Sequence, residues 1–174
     1  SMSRVIIFCG LPGSGKTTLA KAVAQKLNIV SLHKDVFKES LYEVMSGKTL
    51  DDSKITGRYA IEMLLSAARE NIENGVDIII ESPFNHPDNI NEFGEWKSKG
   101  TSVFVVVCFV DEQERIKRTE TRERHPAHHQ TTRPAGAIDY SGVDYSAMPE
   151  PRLFLETNKS EEELVETVMK FLQS

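Results

Sequence analysis

Residues Gly10-Leu11-Pro12-Gly13-Ser14-Gly15-Lys16-Thr17 stand between a β-branched run, Arg4 to Cys9, and an alanine- and leucine-rich run, Lys16 to Leu27. The first run reads as a buried strand and the second as a helix. The glycines between them permit backbone angles that side chains resist. Such a junction lines up main-chain N–H groups around a concavity, and the helix end adds partial positive charge, so the stretch is built to hold an anion. An ordinary Gly-rich turn entering a helix is the plainer alternative. Motif, strand and helix agree too well for it.

The rest of the chain repeats the same alternation. Strands are predicted at Ile29 to Leu32, Val76 to Ile80, Val103 to Val110 and Arg152 to Leu155. Helices are predicted at Val36 to Met45, Lys54 to Asn74, Ile90 to Lys99, Asp111 to Glu123 and Ser160 to Leu172, the last with Ser160 and Glu163 as a capping box. Alternating strands and helices argue an α/β fold, a parallel five-stranded sheet with helices on both faces. His125 to Glu150 lacks periodicity and is long for a passive connection. The expectation is one domain over residues 1–174, with a lid-like segment at about 122–150.

Composition narrows the function classes. The chain has 174 residues and a net charge of −5, which gives no support for coating nucleic acid, although a local basic groove stays possible. With 39% hydrophobic and 27% charged residues the chain is not disordered. Cys9 and Cys108 both lie in apolar runs and read as buried thiols of a reducing compartment. No secretory segment is expected from the opening residues, and Val103 to Val110 is too short to span a bilayer as a helix. The expected location is the cytoplasm, with no membrane partner.

Gly10 to Thr17 matches Gly-x4-Gly-Lys-[Ser/Thr], the Walker A pattern. Gly10 and Gly15 serve the tight turn, and Gly13 lets amides approach the anion without a Cβ in the way. Lys16 is expected on the β- and γ-phosphates of a nucleoside triphosphate, and Thr17 on Mg²⁺. The fold expected is therefore a three-layer P-loop NTPase sandwich. ATP is preferred to GTP, because Thr157-Asn158-Lys159-Ser160-Glu161 has Glu where a guanine-reading motif has Asp.

Gly10 to Thr18 followed by Asp35 resembles the small P-loop kinase superfamily. Within it, the likeness is to zeta-toxin-like predicted kinases, antibiotic phosphotransferases and the kinase domain of polynucleotide 5′-kinase. No Asp-Phe-Gly or His-Arg-Asp signature of a protein kinase is present. The resemblance implies cofactor contacts from Gly10, Leu11, Pro12, Gly13, Ser14, Gly15, Lys16, Thr17 and Thr18. It implies that Asp35, just past the second strand, contacts the acceptor hydroxyl as base. The plainer role for Asp35 is a helix N-cap. Glu81 ends the third apolar run and resembles a metal-holding Walker B carboxylate, although relatives commonly carry Asp there. It could instead bind substrate, leaving Asp35 to share the metal shell, or be a solvated strand end.

Ser82, Phe84 and Asn85 are expected in the acceptor cleft. Arg118 and Arg122 share a helix face, and the resemblance puts them against the phosphates at the base of a lid, with Arg133 as a further lid contact to substrate. Arg115 reads instead as part of a solvated helix paired with neighbouring glutamates. Asn158 is implied beside the adenine. His125, His128 and His129 lack a metal frame and read as exposed loop residues.

The leading functional reading is a Mg-ATP-dependent phosphotransferase acting on a hydroxyl of a small molecule. A nucleoside, nucleotide or polynucleotide 5′-end kinase is the second, and a basic acceptor groove would favour it. A nucleotide-dependent switch or assembly ATPase, and a module that uses nucleotide only for stability, are the remaining classes. The sequence does not indicate an oligomeric state.

Overall fold

The structure is a computed structural model and describes residues 3–45, 49–121, 128 and 143–174. In chain order the elements are β1 (Arg4–Cys9), α1 (Lys16–Leu27), β2 (Ser31–His33), α2 (Lys34–Val44), α3 (Leu50–Glu73), β3 (Ile78–Glu81), α4 (Pro87–Ser98), β4 (Ser102–Phe109), α5 (Glu112–Thr121), β5 (Arg152–Glu156) and α6 (Glu161–Leu172). The five strands pair in the order β2-β3-β1-β4-β5, every pair parallel. The expected three-layer sandwich is present.

The central strands are apolar at consecutive positions because both faces are covered. Val5, Ile7 and Cys9 pack with Leu64, Leu65 and Ala68 of α3 and Phe93 and Trp96 of α4. Ile6 and Phe8 point the other way, onto Leu19, Ala20 and Val23 of α1 and Leu164, Val168 and Leu172 of α6. Loops at the carboxyl ends of β1, β2 and β3 thus emerge along one edge of the sheet, where ligands bind in such folds.

Helix starts differ from the predicted ones for local reasons. Helix α3 begins at Leu50 because Thr49 and Asp52 make a reciprocal capping box. Helix α4 begins at Pro87, whose missing N–H costs nothing in the first turn, with the His86 ring accepting from the Asp88 N–H at 3.2 Å. Ser160 caps α6, its hydroxyl accepting from the Glu163 N–H at 3.2 Å. Most of the expected lid lies outside the described residues. Its last part returns to the body: the Tyr145 hydroxyl donates to the Pro83 carbonyl at 2.7 Å, and Met148 is buried in the core. Among the described residues, no helix is long and apolar enough to cross a membrane.

Candidate active site

The loop Gly10 to Gly15 leaves β1 and closes on the N-terminus of α1. Gly13 and Gly15 both have positive φ, at 82° and 84°. A Cβ on Gly13 would lie 2.7 Å from the Arg115 carbonyl. Its bare Cα therefore also lets α5 pack against the loop, a second demand on this position beside the expected path to an anion. Lys16 is buried, and its ammonium lies 3.5 Å from the Leu11 carbonyl, folded back over the loop.

Three consecutive loop carbonyls are held from outside. Arg115 Nη1 donates to the Pro12 carbonyl at 3.3 Å. Arg118 Nη1 donates to the Gly13 carbonyl at 3.4 Å. The Thr157 hydroxyl donates to the Ser14 carbonyl at 2.6 Å and receives a bond from Arg118 Nη1 at 3.3 Å. Fixing these carbonyls outward commits the adjoining peptide N–H groups to the concave side, the arrangement that a phosphate requires.

Arg115 departs from its expected part in a solvated helix. Its side chain is 5% exposed, and besides the Pro12 carbonyl it bonds Glu112 at 3.0 and 2.7 Å. That contact holds the Glu112 carboxyl below its ordinary range. Arg118 also bonds Glu114 at 3.1 Å. It helps line a cleft of about 350 Å³ with Gly15, Thr18, Thr157 and Lys159, the last two flanking Asn158.

Glu81 is buried at 4% exposure and is not a solvated strand end. The register that pairs it with both Phe8 and His33 carries it to the sheet edge beside the loop. His33 Nδ1 lies 2.8 Å from Glu81 Oε1, and His33 Nε2 lies 2.7 Å from the Ser31 hydroxyl. This buried chain orients the carboxylate.

Asp35 is not the cap of α2. His33 occupies that position and Asp35 sits in the first turn, where a carboxylate suits the helix dipole. Its carboxylate lies 3.7 Å from His128 Nδ1, and Glu39 lies 3.3 Å from His128 Nε2. His128 is buried, against the expectation of an exposed loop residue. Among the described residues, no group of three or more His, Cys, Asp or Glu is placed to hold a metal. Arg122, His125, His129 and Arg133 lie outside the described residues.

Ser82, Phe84 and Asn85 line a cavity of about 970 Å³ between α2, α3 and the start of α4. Phe84 has φ 44°, an uncommon value for a bulky residue. Its ring is buried edge-on against Phe93, with centroids 5.0 Å apart. Burial pushes the Cys9 and Cys108 thiols up, Cys108 to about 12. Both stay protonated and take no part in the site.

Sequence reasoning missed Arg115 and Thr157 as loop supports, and His33 as the partner of Glu81. Thr157 stood in the segment right after a predicted strand, a position that in a parallel sheet returns to the loop edge. Nothing local marked His33, whose partner is on another strand.

Solved structures share the fold. A candidate kinase from Chloroflexus aurantiacus superposes with a TM-score of 0.80 at 24% identity, covering 99% of this chain and 100% of its own. The Mycobacterium tuberculosis APS kinase in complex with AMPPNP and APS gives 0.65 at 20% identity, with 99% of each chain covered. A sugar kinase from Janibacter sp. gives 0.60 at 19% identity, covering 98% of this chain and 95% of its own. No curated protein matches the sequence. A family model described as AAA domain matches residues 5–140, from β1 through the loop and the helices around the cavity. By that match, over most of its length, the chain belongs to the AAA domain family.

Proposed function

We propose that this protein is a Mg-ATP-dependent phosphotransferase that moves the γ-phosphate of ATP to a hydroxyl of a small molecule. One observation carries the reading. A phosphate loop with its carbonyls tied outward opens on the same sheet edge as Asp35 and a cavity of about 970 Å³. The similarity in fold to an APS kinase and a sugar kinase supports it.

In this reading the loop amides and the Lys16 ammonium hold the β- and γ-phosphates, and the charge that spreads over the phosphoryl oxygens meets donors already in place. Arg118 keeps the loop in shape and faces the cleft beside Gly15, where the nucleoside sits, with Thr18 and Asn158 at its border. The acceptor lies against Ser82, Phe84 and Asn85. Asp35 orients its hydroxyl and takes the proton late in transfer.

The oxygen donors fit magnesium, which keeps water and phosphate ligands and needs few from protein. Thr17 would hold the ion directly and Glu81, fixed by His33, through water, with Asp35 the alternative carboxylate. The ion would supply charge neutralisation at the phosphate oxygens. Arg122 and Arg133 are proposed as lid contacts within about 122–150 of one domain. The cytoplasm is the proposed compartment.

The test is Lys16→Ala. Circular dichroism should show the fold kept, while ADP release with acceptor drops to background. Near-wild-type turnover would overturn the reading.

A further inference from the structure

The protein carries a net charge of −5, yet the cavity beside Asp35 is lined by five cationic side chains against three carboxylates. Two of those carboxylates are committed elsewhere. Arg69 bonds Glu92 at 2.6 and 2.8 Å and Glu62 at 2.8 Å. The third, Asp88, lies 3.6 Å from His86 Nδ1. Lys34 and Lys38 keep contacts of their own. The charges of Lys54 and Arg58 are the excess over what the lining carboxylates offset.

On α2, Lys34 and Lys38 are four residues apart and both line the cavity, while Asp35 and Glu39, also four apart, face His128, itself a lining residue, so their charge falls at the α2 end of the cavity. On α3, Lys54 and Arg58 repeat the four-residue spacing along the opposite wall. The two walls meet where a Cβ on Gly57 would lie 3.8 Å from the Lys38 stem and 3.9 Å from its ammonium. Ile61, Leu65 and Phe84 give the same cavity an apolar part. The Ser82 hydroxyl, also lining it, is buried with no hydrogen-bond partner among the described residues.

Resting on the phosphotransferase reading, we infer that the cavity is an anion subsite: the acceptor is a small molecule that carries a phosphate, sulfate or carboxylate beside its hydroxyl, held by Lys54 and Arg58 of α3 with Lys34 and Lys38 of α2. A polycationic acceptor such as an aminoglycoside is disfavoured by like charge. The volume is that of a small-molecule pocket, and the acidic chain gives a long polyanion little to follow beyond it.

The binding test fills the phosphate loop first, with saturating Mg-AMPPNP, so that added anion reports only on the cavity. Inorganic phosphate and sulfate are then titrated by calorimetry, with the fluorescence of Trp96, the sole tryptophan, as a second signal. Its indole bonds Glu92 of the cavity wall at 3.1 Å. Wild type should bind saturably, and K54E/R58E should bind at least about 10-fold more weakly with unchanged AMPPNP affinity, since each lost contact between opposite charges is worth that order. The neutral pair K54Q/R58Q guards against misfolding and should fall in between. Absence of saturable binding, or equal affinity in all three proteins, would overturn the inference.

A second arm measures ADP release with a sugar, its phosphate monoester, its carboxylate form and its amino form. The anionic members should have the higher kcat/KM, and K54E/R58E should lose that preference through KM. Preference for the neutral or amino sugar would overturn the anion subsite and leave the phosphotransferase reading standing. Saturable phosphate binding with no ADP from any acceptor would support the subsite and count against the phosphotransferase reading.

Discussion

The hydroxyl of Thr157 donates to the main-chain carbonyl of Ser14 across 2.6 Å, joining residues 143 positions apart in the sequence. The same hydroxyl takes a bond from Arg118, so one side chain couples the end of β5 to the phosphate loop and to α5. Thr157→Val keeps the shape and removes the bond. The buried Ser14 carbonyl then goes unsatisfied, costing about 1–3 kcal/mol of stability. Denaturant unfolding should show that loss, and calorimetry should show weaker AMPPNP binding. Thr157→Ser should restore both.

Asp35 is expected to act on the acceptor. Asp35→Asn keeps the size but removes the charge, and turnover at saturating Mg-ATP should fall about 10²- to 10⁴-fold. The loss should lie in kcat, with little change in AMPPNP affinity. Capping no longer competes as an explanation, because His33 holds that position. An unchanged rate would move the catalytic assignment to Glu81.

The pairing of His33 with Glu81 predicts a coupled energy. Both side chains are 6% exposed. His33→Phe strands a buried carboxylate and should destabilise by at least about 1–3 kcal/mol. The double variant His33→Phe with Glu81→Met removes both polar ends, so it should be less destabilised than the sum of the single variants. Urea titrations of the four proteins decide it; strict additivity would mean that the two groups do not interact.

The buried thiols give an alkaline signature. Burial, the leading cause, raises Cys108 from the ordinary 9.0 to about 12, and Lys16 nearby partly opposes it. A thiol whose folded value is raised holds its proton better in the native state. Its contribution to stability is complete below pH 9 and is lost as pH climbs toward 12. Cys108→Ala should flatten that part of the pH–stability curve. Ellman's reagent at neutral pH should modify neither thiol until the protein unfolds.

The phosphate loop and the layered α/β fold were legible in the sequence because both are local. Eight contiguous residues make the anion cradle, and each strand or helix declares itself by its own apolar period. The place of Ser82, Phe84 and Asn85 on a cavity wall could be read for the same reason, since a parallel strand delivers its following loop to one edge of the sheet. Other roles depended on contacts between distant segments. The burial of Arg115 against Pro12, the hold of Thr157 on Ser14, the link of His33 to Glu81 and the meeting of His128 with Asp35 all join segments that strand order and helix packing bring together. The cationic cavity arose in the same way. Lys34, Lys38, Lys54 and Arg58 are ordinary charges on two amphipathic helices when read along the chain. They become a site only because α2 and α3 pack against each other, a geometry set by the burial of the apolar side of α3 on the sheet.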